Sequence, residues 1–202
     1  MMSKFVDPSY YKKLVELDPE DVCRRASCQY EKAAKRYIIN VWGDEYAIYP
    51  EVGTIKPIQD SAYNPHEYFY LFIIYYMIFV KDIAISEEWI SEKDMPGGTT
   101  FFRGPHVIPT DLITQAYNNN VQLFKKSCEQ LGGTMRNQAD AAFLFHITPR
   151  IPIAVLYWEG DEEFSSEAKI LFDNSITHHL TLDIIFSIAV EICIRIAKNI
   201  QL

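Results

Sequence analysis

The densest run of chemically capable side chains is Trp158-Glu159-Gly160-Asp161-Glu162-Glu163-Phe164, four carboxylates within five residues. Such charges repel one another unless water or a cation neutralises them. Asp173 closes the next apolar run, and His178-His179 follows it. If the turn folds over the end of that run, Asp161, Glu162, Glu163 and Asp173 offer oxygen ligands to Ca²⁺ or Mg²⁺. With His178 and His179 they offer a mixed set for zinc or iron. The same carboxylates could equally provide a hydrolase with its general base. The plainest reading is a solvated acidic turn. No D-x-D-x-D-G loop, H-E-x-x-H helix or nucleophile elbow accompanies them.

A second cluster lies in the stretch 86–108, punctuated by Pro96-Gly97-Gly98 and Arg103-Gly104-Pro105. Phe101, Phe102, Arg103 and His106 would let this loop close over an anion or an aromatic ligand, with Trp158, His178 and His179 as further candidate ligand contacts. Long loops in compact domains often serve function. His66 and His146 read instead as satisfied cap or core residues. Arg150, between Pro149 and Pro152, either reaches a carboxylate of the acidic turn or makes a structural ion pair.

These groups must be held by a scaffold of ordinary composition, 49% apolar and 23% charged. It is rich in rings, with 13 Tyr, 12 Phe and 3 Trp, which pack a core or line a cavity. The formal charge of −8, with no basic cluster beyond pairs, argues against nucleic-acid binding and a polybasic membrane patch. Cys23, Cys28, Cys128 and Cys193 form no C-x-x-C pair and read as buried free thiols of a reducing compartment. Residues 1–14 hold no apolar run resembling a secretory signal, so the expected location is the cytoplasm. Tyr68–Val80 is uncharged, but a bilayer span needs about 20 residues, so this run predicts a core helix.

The remaining elements follow from pattern. Asp18-Pro19 opens a short helix. Tyr37, Ile39 and Val41, then Tyr46 and Ile48, alternate around Gly43-Asp44, predicting a type II′ hairpin with Val41 opposite Tyr46 and Ile39 opposite Ile48. Asn64-Pro65 begins the apolar helix, which runs to about Lys81. Helices follow over Thr110–Tyr117 and over a segment with Val121, Phe124, Cys128 and Leu131 on one face, stopped by Gly132-Gly133. Strands over Phe143–Ile147 and Ile151–Trp158 are apolar on both faces, and Ala168–Asp173 makes a third. A closing helix, Thr181 to about Asn199, carries Ser187, Glu191, Arg195 and Lys198 as one wet stripe. The sum is a single α+β domain over 1–202, a mostly antiparallel sheet with an N-terminal hairpin packed against buried apolar helices.

The string Pro149-Arg150-Ile151-Pro152, leading to Tyr157-Trp158-Glu159-Gly160-Asp161-Glu162-Glu163-Phe164 and Leu171-Phe172-Asp173, resembles the family called domain of unknown function 3786. Trp89-Ile90-Ser91 through Met95-Pro96-Gly97-Gly98 resembles its middle segment, and the likeness spans roughly residues 20–197. The resemblance implies a protein of anaerobic bacteria or archaea with no established activity. It also implies an association with corrinoid and one-carbon chemistry through members joined to a cysteine-rich iron–sulfur segment, which this chain's cysteines do not reproduce. The resulting expectation is a non-catalytic ligand-binding or accessory protein taking a small molecule, with a tetrapyrrole (corrinoid or haem) as the sharpest candidate. The alternatives are a metal-dependent hydrolase at the acidic turn, with a divalent metal as cofactor, and a protein-binding subunit or homo-oligomer with an exposed apolar patch.

Overall fold

Two aspartate–proline pairs set the entry to the chain. Asp7 caps α1 (Pro8–Glu16) and Asp18 caps α2 (Pro19–Ala26), each side chain accepting an amide two residues on, at 2.7 and 3.2 Å. Strands β1 (Gln29–Glu31), β2 (Arg36–Val41), β3 (Asp44–Tyr49) and β4 (Thr54–Pro57) then form an antiparallel sheet in chain order. The computed structural model describes residues 6–59 and 63–200. Beyond the first sheet come α3 (Glu67–Phe79), β5 (Trp89–Ile90), α4 (Gly98–Phe101), α5 (Asp111–Tyr117) and α6 (Val121–Gln130). The chain ends with β6 (Thr134–Arg136), β7 (Ala141–Thr148), β8 (Ile151–Trp158), β9 (Glu167–Asp173), α7 (Ile176–His179) and α8 (Leu182–Lys198). The second sheet has the order β5-β9-β8-β7-β6, with every pairing antiparallel. The fold is α+β.

The β2–β3 hairpin corrects the predicted register. Trp42 and Gly43 occupy the turn, both at positive φ (51° and 82°), which makes it type I′ rather than II′. Val41 faces Asp44, Ile39 faces Tyr46 and Tyr37 faces Ile48. The cause is tertiary. The Trp42 amide donates to the Ile147 carbonyl at 2.8 Å and its indole N–H to the Leu131 carbonyl at 3.1 Å. Its ring meets Phe145 edge-on, and the Arg195 guanidinium lies over it at 4.6 Å. Because the shift preserves the parity of the strands, Tyr37, Ile39, Val41, Tyr46 and Ile48 still share one buried face.

Helix α3 starts at a cap made by His66, whose Nδ1 accepts the Tyr68 amide at 3.3 Å. Phe69, Phe72, Ile73, Ile74, Tyr76 and Met77 are fully buried, and one apolar cluster joins this helix to α8 and both sheets. Among the described residues no helix is long and apolar enough to cross a membrane. The stripe on α8 is the second correction. Ser187, Glu191 and Arg195 are buried, because each finds a partner inside. Ser187 donates to the Asp183 carbonyl at 2.8 Å, and Arg195 pairs with Asp44 at 2.8 Å. Glu191 accepts the Tyr63 hydroxyl at 2.7 Å and the His66 amide at 2.8 Å. Spacing alone places these residues on one face; it does not say that the face meets water.

Candidate functional site

The two faces of the five-stranded sheet are built differently. Helices α5 and α6 bring Tyr117 and Phe124 against Phe143 and Tyr157, the odd-numbered face of β7 and β8. The even-numbered face carries its own small cluster, in which Trp89, Trp158 and Leu171 pack on Ala142, Ala154 and Leu156. Along β8 the residues on that face are Pro152 and Ala154 before Leu156, and β7 opposes them with His146, Leu144 and Ala142. Short side chains in mid-sheet with larger ones around them leave a trough. Its volume is about 550 Å³, within the range of small-molecule sites.

The floor is Leu144, Pro152 and Ala154. Ile85, Glu87 and Trp89 form one wall, and Arg136, Asn137 and Gln138, from the β6–β7 hairpin, form the other. His146 is exposed at the end of the β7 row and also lines the trough. The site thus offers a half-buried indole, a guanidinium, two side-chain amides, an imidazole and the carboxylates of Glu87 and Asp173 around an apolar floor. An indole face receives a flat ring, and a guanidinium receives a carboxylate in a forked pair.

The wall at 85–89 is fastened by Asp173, opposite Trp89 in the sheet. Its Oδ1 accepts the Ser86 amide and hydroxyl, each at 2.9 Å, and the Ser175 amide and hydroxyl at 3.0 and 2.5 Å. Its Oδ2 accepts the Glu87 amide at 2.7 Å. Burial works to raise this carboxyl, but the hydrogen bonds from Ser175 and Ser86 outweigh it and hold the group below the usual carboxylate range. Glu87 itself sits at φ 60°, a left-handed conformation uncommon for a residue with a side chain. The carboxylate therefore holds a strained residue at the rim of the trough.

The groups expected to converge do not. β9 separates Asp173 from the acidic turn by its whole length. Within the turn, Asp161 Oδ1 accepts the Glu163 and Phe164 amides, both at 2.8 Å, and those bonds lower its carboxyl. Glu162 and Glu163 are exposed. Gly160 is needed because a Cβ there would lie 2.6 Å from both Phe164 O and Ser166 N. His178 is exposed, whereas His179 is buried and accepts the Lys81 amide at 3.2 Å. Burial first, then the Arg150 charge, pushes His179 down to about 4. Among the described residues no three His, Cys, Asp or Glu side chains gather as a metal site.

The 86–108 segment is less irregular than its punctuation implies, since β5, α4 and a short 3₁₀ turn at Gly104–His106 lie within it. Phe102 is in the core, while Arg103 is exposed. Phe101 stacks on His106 at 4.5 Å, and His106 meets Phe186 of α8 edge-on. This group is separate from the acidic turn and from the trough. Trp158 is half-buried in the cluster beside the trough. Arg150 does not reach the acidic turn. It pairs with Asp82 and donates to the Arg25 and Ile83 carbonyls, both at 2.8 Å.

A family model for a domain of unknown function, DUF3786, matches residues 18–195. The chain belongs to the DUF3786 family. No curated protein and no solved structure matches it. The matched span runs from the cap of α2 into α8, so the whole trough of this DUF3786 domain lies inside it. Sequence reasoning missed Trp89, Arg136, Asn137, Gln138 and His146 as site residues. The available signal was the small-residue series Ala142, Pro152 and Ala154, alternating with large apolar residues on strands that otherwise read as buried on both faces.

Proposed function

We propose that this DUF3786 domain is a non-catalytic binding protein whose ligand lies in the trough on the outer face of the five-stranded sheet. The observation that carries the reading is the convergence of Trp89, Arg136 and His146 around an apolar floor. The ligand is a flat, mid-sized molecule bearing an acidic group: its ring stacks on Trp89, its acid meets Arg136, and His146 reaches its polar centre. A tetrapyrrole with carboxylate side chains, haem foremost and a corrinoid second, has all three features, and His146 is the residue that would ligate its metal. That occupant suits the accessory role in anaerobic metabolism which the family resemblance implies. Binding without transformation is supported by Asp173, whose two oxygens are both engaged by donors and so serve the wall rather than a reaction.

Titration of the purified protein with haem, and separately with a cobalamin, tests this. Saturable binding is expected, read from the ligand's visible spectrum and from quenching of tryptophan fluorescence. Trp89→Ala and Arg136→Ala should each weaken it by about tenfold, the loss of roughly 1.4 kcal/mol. His146→Ala should change the bound spectrum. If neither compound binds saturably at micromolar concentrations, the tetrapyrrole is wrong. If 8-anilinonaphthalene-sulfonate, a flat aromatic anion, also fails to bind in a Trp89-dependent way, the trough is not a binding site for this class.

A further inference from the structure

Four residues separate Cys23 from Cys28, so they do not form a C-x-x-C pair. The fold nevertheless brings the two sulfurs together. Helix α2 ends with Ser27 in left-handed backbone (φ 54°), and the Cys28 amide donates to the Cys23 carbonyl at 3.1 Å. That bond, from the residue just past the cap to one in the last turn, defines a Schellman ending, which normally sets two apolar side chains against each other at those positions. Here both are cysteine. The Cys28 Sγ lies 3.9 Å from the Cys23 Sγ, and both residues are half-buried, whereas Cys128 and Cys193 are buried and elsewhere in the core.

A disulfide needs sulfurs about 2.05 Å apart on Cβ atoms roughly 3.5–4.5 Å apart. The helix ending sets the two side chains against each other, and closure requires the sulfurs to come from 3.9 Å to bonding distance. We propose that Cys23 and Cys28 form a dithiol site that exchanges with low-molecular-weight disulfides and closes to an intramolecular disulfide. One cysteine, as thiolate, attacks the S–S bond of the reagent. A mixed disulfide forms and the first reagent thiolate leaves. The second cysteine, as thiolate, attacks the protein sulfur of that mixed disulfide, forming the Cys23–Cys28 bond and releasing the second reagent thiolate. Two protein thiols are oxidised, one reagent disulfide is reduced to two thiols, and the two cysteine protons pass to the released thiolates.

The position gives closure a mechanical consequence. Arg25, beside the pair, donates to the Ile78 and Val80 carbonyls at 3.3 and 2.6 Å, and Arg24 pairs with Asp82. The helix end that the disulfide would staple therefore holds the end of α3. Burial raises both thiols, so exchange is slow near neutral pH and quickens as the pH rises.

The test uses the full chain, reduced and freed of reductant, then equilibrated with oxidised and reduced glutathione in varied ratio at mildly alkaline pH. Free thiols are trapped with N-ethylmaleimide under denaturing conditions and peptides are mapped by mass. The expected product is a linked pair of peptides carrying Cys23 and Cys28, lighter by two hydrogens, with Cys128 and Cys193 alkylated. Cys23→Ser and Cys28→Ser should each abolish the linked species. The folded protein should also half-close at a more reducing glutathione ratio than the same chain in urea, by about tenfold, because the fold raises the effective concentration of one thiol at the other. Alkylation of both cysteines under all ratios, a glutathione adduct that never closes, or equal half-closure ratios folded and unfolded would each overturn the proposal.

Discussion

Asp173 and Glu191 are both carboxylates inside the protein, 1% and 0% exposed, yet their proton affinities move in opposite directions. Burial disfavours the charge on each. At the corner between β9 and α7, five donors from Ser86, Glu87 and Ser175 surround Asp173, and their sum outweighs burial. On α8, Glu191 receives two, from the Tyr63 hydroxyl and the His66 amide, and burial prevails, raising the group to about 7. Arg195, one turn further, pairs with Asp44; its charge and that of Lys198 pull Glu191 down, but not enough to offset burial. Neither touches water, but Glu191 lies deeper among protein atoms than Asp173, so heavier burial and fewer donors together set its sign. The consequences differ too, since Asp173 fixes a strained wall of the trough while Glu191 ties the start of α3 to α8.

The largest effect should come from Asp173→Asn. The substitution keeps the volume but removes the charge and points an amide donor at donors already there. A loss of about 3–4 kcal/mol in urea unfolding is expected, as for other broken buried networks around a charge. Trp89 emission should shift with it, because the 85–89 wall loses its anchor. A cost below about 1 kcal/mol would mean that Ser86 and Glu87 are held by something else, and the contrast with Glu191 would collapse.

The pH dependence comes next in size. Glu191 is raised in the fold from 4.5 to about 7, so its protonated form is favoured. The stability it contributes is fully present below 4.5 and is lost as the pH rises through about 7, on the order of 3 kcal/mol. Asp173 has the opposite sign: its contribution is present above the ordinary carboxylate value and is lost as the pH falls through its lowered one. Glu191→Gln should therefore gain on wild type steadily between pH 4.5 and 7, because Gln can accept the His66 amide and donate to Tyr63 without a charge. His179, pushed down to about 4, adds a slope of the other sign below 6.5. It is common to both proteins and cancels in their difference. A difference that does not change with pH would place Glu191 in contact with water.

The contrast also marks what a single sequence can carry. Strands 143–147 and 151–158, the apolar run Tyr68–Val80 and the aspartate-proline helix starts are legible because each is a local pattern of period or capping. The trough is not, because Trp89, Arg136 and His146 meet only through strand neighbours. β5 pairs with β9, whose partner residues lie some eighty positions away along the chain. A two-residue strand inside a segment full of glycine and proline also has too little pattern to show. Glu191 was visible as part of a polar stripe, but its environment depends on Tyr63 and His66, which no helical spacing predicts. For the carboxylates of 161–163 the opposite failure applies. Their density is plain in the sequence, yet charge density alone does not distinguish a site from a turn in water.

That turn gives the smallest effects and the sharpest check on the comparison. Of Asp161, Glu162 and Glu163, Asp161 accepts two backbone amides of the turn, so Asp161→Ala should cost about 1 kcal/mol, similar to losing a helix cap. Glu162 and Glu163 are exposed, and water solvates their charges. Replacing either with Gln removes one negative charge from a crowded group and puts nothing buried at risk. Glu162→Gln and Glu163→Gln should each stay within about 0.5 kcal/mol of wild type, and a slight gain is the more natural direction because repulsion falls. Thermal melts of both variants with Ca²⁺, Mg²⁺ or a chelator should differ from one another only as ionic strength does. A cation that binds the folded turn would instead stabilise wild type in proportion to the logarithm of its concentration over its dissociation constant. If a metal-dependent rise in melting temperature appears and disappears with either glutamate, the exposed turn is a site after all. Donor count would then have misjudged it, because a bound cation rather than hydrogen-bond donors would have balanced the charge.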